Sequence, residues 1–296
     1  MPVCPLCGSL VESDTPICSD CLALSYSSCQ SLAQCPRQWQ LQHTESVPKA
    51  TTPALLYGLA LHSLLECDGY ARMVDRKVSV AQLGEQFDDC LDQVRREQDP
   101  YQLVRSQVEA LRQRGRGDIA VYHQQIAPTY RPVAVEMPFL VPLMPAADGS
   151  GLKGIIDAVT APQQKRIILD FKTTTSSKNW TPDAVAQHRQ ATAYLLAEQA
   201  LHPAGPAQRV TYLVFVTTTT NHTVLIRPTT RTTQQRDAYQ DTVRQSVQTV
   251  RQYRQHGTFP AQPGPQCGRC LVYGVCESGQ RWLTAQGRRP TIPVVS

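Results

Sequence analysis

From Tyr130 to Thr173 apolar and polar residues alternate in three runs, "YRPVAVEMPFLVPL", "GLKGIIDAVT" and "RIILDFKT". Successive side chains of a strand point to opposite faces, so a two-residue period predicts strands here. "RVTYLVFVTTT" and "HTVLIRP" read as a further strand pair. Elsewhere the period is helical. "ALLYGLALHSLLE" is an apolar helix pattern, and residues 80–126 continue in amphipathic turns, with Gly115 and Gly117 as an expected interruption. Residues 26–42, with "CPRQWQL", the stretch "DAVAQHRQATAYLLAEQAL" and the Gln/Arg-rich residues 231–255 complete the predicted helices. "TESVPKATTP" and "GTFPAQPGP" are breaks. Helices, then sheet, then a helix and more sheet predict an α/β or α+β class.

Composition narrows the class. With 296 residues, 41% of them hydrophobic and 18% charged, the chain can bury a large core. It has no apolar run of the roughly 18 residues needed to span a membrane. "MPVCPLCGSL" lacks a basic segment followed by an apolar one, so a cytoplasmic protein is expected. The net charge of +5 permits an anionic partner. Its bases are mostly arginine, whose fork suits phosphate.

The eleven cysteines are grouped. Cys4, Cys7, Cys18 and Cys21 have the C-x2-C-x10-C-x2-C spacing of a zinc-ribbon-like knuckle. Residues 1–24 are too short to fold on an apolar core, so a Zn²⁺ site is expected to hold them as a separate segment. "CGRCLVYGVC" supplies Cys267, Cys270 and Cys276, and three thiolates need a fourth ligand. The residues alone leave Cys29 and Cys35 as candidates, and either zinc or an iron–sulfur cluster as the occupant.

The strongest chemistry lies in "RIILDFKTTT", where Asp170 and Lys172 share one strand face. If the preceding loop "APQQK" folds about Gln163–Gln164, Asp157 of "GIIDAV" stands opposite Asp170 on that face. Facing like charges are destabilising. A hard divalent cation, Mg²⁺ or Mn²⁺, would compensate, with Lys172 within reach of a phosphate oxygen or an activated water. Glu136 in "VAVEMPF" is a further acid on the preceding strand, more simply read as an ordinary strand residue.

"GIIDAV" followed by "ILDFKT" resembles the PD-(D/E)XK nuclease superfamily, in its RecB-like branch, over about Ser31 to Glu277. The resemblance implies a restriction-endonuclease-like core, a central mixed sheet flanked by helices, spanning residues 25–296. It implies a metal held by His62 of "GLALHSLLE", Asp157, Asp170 and the Phe171 carbonyl. Lys172 is implied as the catalytic group that positions the attacking water and stabilises the developing charge, with Gln190 and Tyr194 of "RQATAYLL" contacting the DNA backbone or supporting the site. "SLAQCPRQWQL" resembles the segment that supplies the first cysteine in iron–sulfur RecB-like nucleases such as the CRISPR-adaptation exonucleases. That likeness selects Cys35 to complete a [4Fe-4S] cluster with Cys267, Cys270 and Cys276. The implied substrate is DNA, with single-stranded ends favoured. The implied setting is recombination, repair, phage replication or CRISPR adaptation, with a protein partner from that machinery. Two other classes compete: a non-catalytic nucleic-acid-binding module with structural metal sites, and a metal-based redox protein. The intact D…D-x-K argues against the first. The lack of a thioredoxin-like context for the C-x-x-C pairs argues against the second.

Overall fold

The computed structural model describes residues 3–9, 17–18, 20–44, 47, 50–98, 103–143, 148–218 and 221–291. β1 (Leu22–Leu24) leads through Ser25, whose hydroxyl accepts the Ser28 amide, into α1 (Tyr26–Gln34). Pro36 ends that segment and opens α2 (Pro36–His43), since proline fits a first helical turn but cannot continue a ladder. There follow α3 (Pro53–Met73), α4 (Val80–Gln98), α5 (Arg105–Gln125), β2 (Pro132–Pro142), β3 (Ser150–Thr160) and β4 (Ile167–Thr174). The chain continues with α6 (Pro182–Ala186), α7 (Arg189–Leu201), β5 (Val210–Thr217), β6 (His222–Thr229), α8 (Thr233–His256) and α9 (Glu277–Ala285).

Two compact units emerge, the second comprising Pro53–Phe139 and Gly154–Tyr239. Its strands run β3-β4-β5-β6, with β2 on β3; β4 and β5 are parallel, and β3–β4 and β5–β6 antiparallel. A mixed sheet flanked by helices is the α/β arrangement expected. Every residue of β5 is buried, which suits a central strand covered on both faces. Leu61, Leu64, Phe87, Ile119, Tyr122, Phe171 and Phe215 belong to one continuous apolar cluster joining α3, α4 and α5 to the sheet.

Two local expectations fail for tertiary reasons. Gly115 and Gly117 do not interrupt α5. A Cβ at Gly115 would stand 2.1 Å from the Phe87 ring, and one at Gly117 2.3 Å from His222. Both glycines therefore serve close packing. Gly115→Ala is expected to destabilise the protein by about 1–3 kcal/mol through overpacking, read as a lower urea midpoint at unchanged slope. The predicted helix over 183–201 is split at His188, because the Arg231 guanidinium takes the carbonyls of Val185 (3.1 Å) and His188 (2.7 Å).

The first unit comprises Met1–Thr52, Leu140–Lys153 and Gln240–Ser296. β1 pairs in parallel with the start of β3, Ala23 opposite Gly151. Cys4, Leu6, Cys21 and Ala23 form a small buried cluster, with Leu140 packed against it. Gly149, at φ +66, lets Cys21 approach, since a Cβ there would lie 2.6 Å from the Cys21 sulfur. Among the described residues no helix is long and apolar enough to cross a membrane.

Candidate active site

The β3–β4 ladder pairs Ala158 with Leu169 and Thr160 with Ile167. One step further sets Asp157 opposite Asp170, as the hairpin argument expected. There the ladder gives way to side chains. The Asp157 carboxylate accepts the Phe171 amide at 2.8 Å. His62 Nδ1 lies 3.6 Å from that carboxylate, and His62 Nε2 lies 2.9 Å from the Phe171 carbonyl oxygen. Phe171 thus turns its ring into the core and its backbone oxygen towards the histidine.

Asp170 is fully buried, and its partner is the Lys172 ammonium at 2.5 Å. Neither of its carboxylate oxygens receives a well-formed hydrogen bond. Tyr194 lies close enough that its phenol, already raised by burial, is raised further by the Asp170 and Asp157 charges. Its hydroxyl accepts the Gln190 side-chain amide at 2.7 Å, one helical turn apart. Arg231 fixes the start of this helix, with its Nε donating to Thr192 at 3.0 Å.

Glu136 joins this group. His62, Glu136 and Asp157 each offer a ligand atom within 4.8 Å of the others. Glu136 has φ +44, rare for a residue with a side chain and worth about 1–3 kcal/mol of strain, of the kind that concentrates at functional sites. The sequence offered only the signal of an acid in an apolar strand next to "GIIDAV", and positive φ cannot be read from such a run. Burial, then the charges of Asp157, Glu66 and Asp170, pushes the Glu136 carboxyl up to about 7. Burial, then the Asp170 charge, pushes Asp157 up to about 6. Glu66, Glu136 and Asp157 line a cleft of about 490 Å³ together with His62, Phe171 and Lys172.

This donor set fits a hard divalent cation. It combines an imidazole, a backbone carbonyl and the mutually repelling carboxylates of Glu136 and Asp157. Glu136→Gln is expected to weaken Mn²⁺ binding roughly 10–100-fold, the range for losing a supporting group around a metal, read from metal titration by calorimetry.

The two sets of cysteines expected from the sequence, eight of the eleven, lie in the first unit. The sulfurs of Cys4, Cys7, Cys18 and Cys21 lie within 4.8 Å of one another, with Cys7 and Cys18 at 3.5 Å. Cys35 and Cys267 sulfurs receive the backbone amides of Gln262 (3.3 Å) and Gly264 (3.4 Å). A Cβ built on Gly279 would lie 3.5 Å from the Cys267 sulfur and 3.7 Å from that of Cys276. Burial, then the charges of Cys276, Cys267 and Cys35, pushes the Cys270 thiol up to about 11. Cys29 is buried apart from that set, beside Ser246.

Comparison with known proteins follows the same lines. A family model described as the PD-(D/E)XK nuclease superfamily matches residues 23–277. The crystal structure of a candidate exonuclease from Eubacterium rectale is similar with a TM-score of 0.54, at 12% identity, over 88% of this chain and 87% of that chain. At that identity the likeness is one of fold. The solved structure of SSO0001 aligns at 14% identity over 84% of this chain and 96% of that chain, and its TM-score of 0.35 carries no weight. No curated protein matches the sequence.

Proposed function

Because the chain belongs to the PD-(D/E)XK nuclease superfamily, we propose that it is a Mg²⁺- or Mn²⁺-dependent deoxyribonuclease acting on single-stranded DNA ends. The observation that carries this reading is the convergence of His62, Asp157 and the Phe171 carbonyl beside a buried Asp170–Lys172 pair. His62, Asp157, Asp170 and the Phe171 oxygen would hold the cation, and Glu136 extends the set.

When bound, the metal supplies Lewis-acid polarisation of the scissile phosphate and a lowered pKa for the attacking water. Asp170 holds the Lys172 ammonium at the mouth of the cleft, where it can orient that water and stabilise charge growing on the phosphate. The Phe171 amide fixes the Asp157 carboxylate in place, 3.6 Å from His62. Gln190 and Tyr194 hold the wall beside Asp170 and can donate to the DNA backbone.

Cys35, Cys267, Cys270 and Cys276 would hold a structural [4Fe-4S] cluster. Amide-to-sulfur hydrogen bonds of the kind made to Cys35 and Cys267 stabilise ligated thiolates. Burial, and after it the charges of Cys276, Cys267 and Cys35, raises the Cys270 thiol, a cost that a bound cluster would offset. The closer set of Cys4, Cys7, Cys18 and Cys21 suits a single Zn²⁺. A cytoplasmic setting and a partner in recombination, replication or CRISPR adaptation complete the proposal.

The test is digestion of end-labelled single- and double-stranded DNA with Mn²⁺ and with EDTA, beside elemental analysis of anaerobically purified protein. Metal-dependent shortening of single strands, about four irons and one zinc per chain support the reading. Binding of DNA without cleavage at any metal concentration would return it to a non-catalytic module.

A further inference from the structure

Trp180 ends the exposed loop that leaves β4 eight residues after Lys172. Its indole stacks on the His188 imidazole, with centroids 5.5 Å apart and planes 25° apart. Tyr212 closes the group, 5.4 Å from Trp180 and 5.2 Å from His188. Tyr212 is the residue paired with Asp170 in the parallel β4–β5 register, so this aromatic group stands on the same sheet face as the Asp170–Lys172 pair.

The group is held firmly. His188 Nδ1 lies 3.0 Å from the Tyr212 hydroxyl, and the His188 carbonyl is bound by Arg231. Arg227 Nε donates to the Trp180 carbonyl at 2.8 Å. Burial, then the Lys172 cation, holds the His188 imidazole below its ordinary pKa, so it is a neutral plate near pH 7. Yet Trp180 is only half-buried, although indole is among the most favourable side chains to bury.

We propose that Trp180, backed by His188, is a stacking platform for an unpaired nucleobase, which sets the position of a single strand over Lys172. Every base has a π face, so such a platform tolerates any sequence. In a duplex those faces are already stacked on neighbouring pairs, and the platform therefore selects frayed or single-stranded ends. Arg227 and Lys178 flank it with positive charge for the strand's phosphates. The inference rests on the nuclease reading of the adjoining site and names the substrate form that site receives.

The experiment uses the full chain in EDTA, so nothing is cut, with oligothymidylate, an abasic strand of equal length and a blunt duplex as probes. Tryptophan fluorescence and anisotropy are recorded. Oligothymidylate is expected to quench the indole and to bind on the order of 10-fold or more tighter than the abasic strand. Trp180→Ala should lose that margin, while Trp180→Phe should keep most of it. Equal binding of oligothymidylate and abasic strand by the unsubstituted protein overturns the platform, whatever the variants do. Unchanged oligothymidylate affinity in a folded Trp180→Ala protein overturns it also. Cleavage of end-labelled DNA with Mn²⁺ is scored separately. A protein that cuts but does not distinguish the two strands keeps its nuclease assignment and loses the platform. One that distinguishes them but never cuts keeps the platform and loses the nuclease.

Discussion

Asp170→Asn is expected to fold normally and to lose at least about 10³-fold of metal-dependent cleavage. Removing a single preorganised electrostatic group from an active site commonly lowers kcat by roughly 10²–10³. Asp170 is asked to do two things. It anchors the Lys172 ammonium at 2.5 Å, and in the proposed reaction it would also help to hold the cation. Losing both raises the barrier by about 4 kcal/mol or more, since each factor of ten is about 1.4 kcal/mol. The amide keeps the carboxylate's volume, and it removes a charge that is expensive to bury. The thermal midpoint should therefore hold while activity falls. The measurement is single-turnover digestion of labelled DNA at saturating Mn²⁺, with circular dichroism as the folding control. Activity within tenfold of the unsubstituted protein would remove Asp170 from the mechanism.

The second large effect is a linkage between protons, metal and stability. Asp157 is pushed up to about 6 and Glu136 to about 7 in the folded, metal-free protein. Both hold protons more tightly folded than unfolded. Their contribution to stability is thus fully present below the ordinary carboxylate range and is lost as pH rises through 6 to 7. For the buried Asp157 this amounts to on the order of 2–3 kcal/mol. Glu136 is half-buried and screened, and adds less. Mn²⁺ should restore what is lost, adding about 2.7 kcal/mol at a hundredfold excess over its dissociation constant. Glu198 and Asp148 are held below their ordinary values and pull the other way, so the comparison that isolates the effect is with Asp157→Asn. In EDTA that variant should be no more stable than the unsubstituted protein near pH 4 and more stable near pH 7.5. Its midpoint should rise less with Mn²⁺. Parallel melting curves from pH 4 to 7.5 would show that burial and mutual repulsion do not raise these carboxyls as described.

The hairpin was legible because its determinants are local. Alternation sets which residues share a face, and the loop "APQQK" fixes the register, so Asp157 and Asp170 could be paired on paper. The cysteine knuckle was legible for the same reason, its four sulfurs being close in sequence as well as in space. His62 was different. Its contact with the Phe171 carbonyl spans 109 residues, and only a family resemblance suggested it before α3 was seen against β4. Glu136 was undervalued, since nothing within a few residues of it signals a backbone at φ +44.

The sequence by itself determined the strands and helices, the facing aspartates, the D-x-K pair and two grouped sets of cysteines. Each follows from side-chain period, turn chemistry or spacing, which act over a few residues. Tertiary structure alone decided the rest. Gly115 and Gly117 became packing contacts for Phe87 and His222 instead of breaks. Arg231 divided one predicted helix in two by taking its carbonyls, and that cut places His188 against Trp180. Glu136 was brought to His62 and Asp157, and Tyr212 to the side of Asp170, by strand neighbours far away in the chain. Contacts of that kind depend on how whole elements pack, and a strand's own residues do not encode which neighbour will lie beside it.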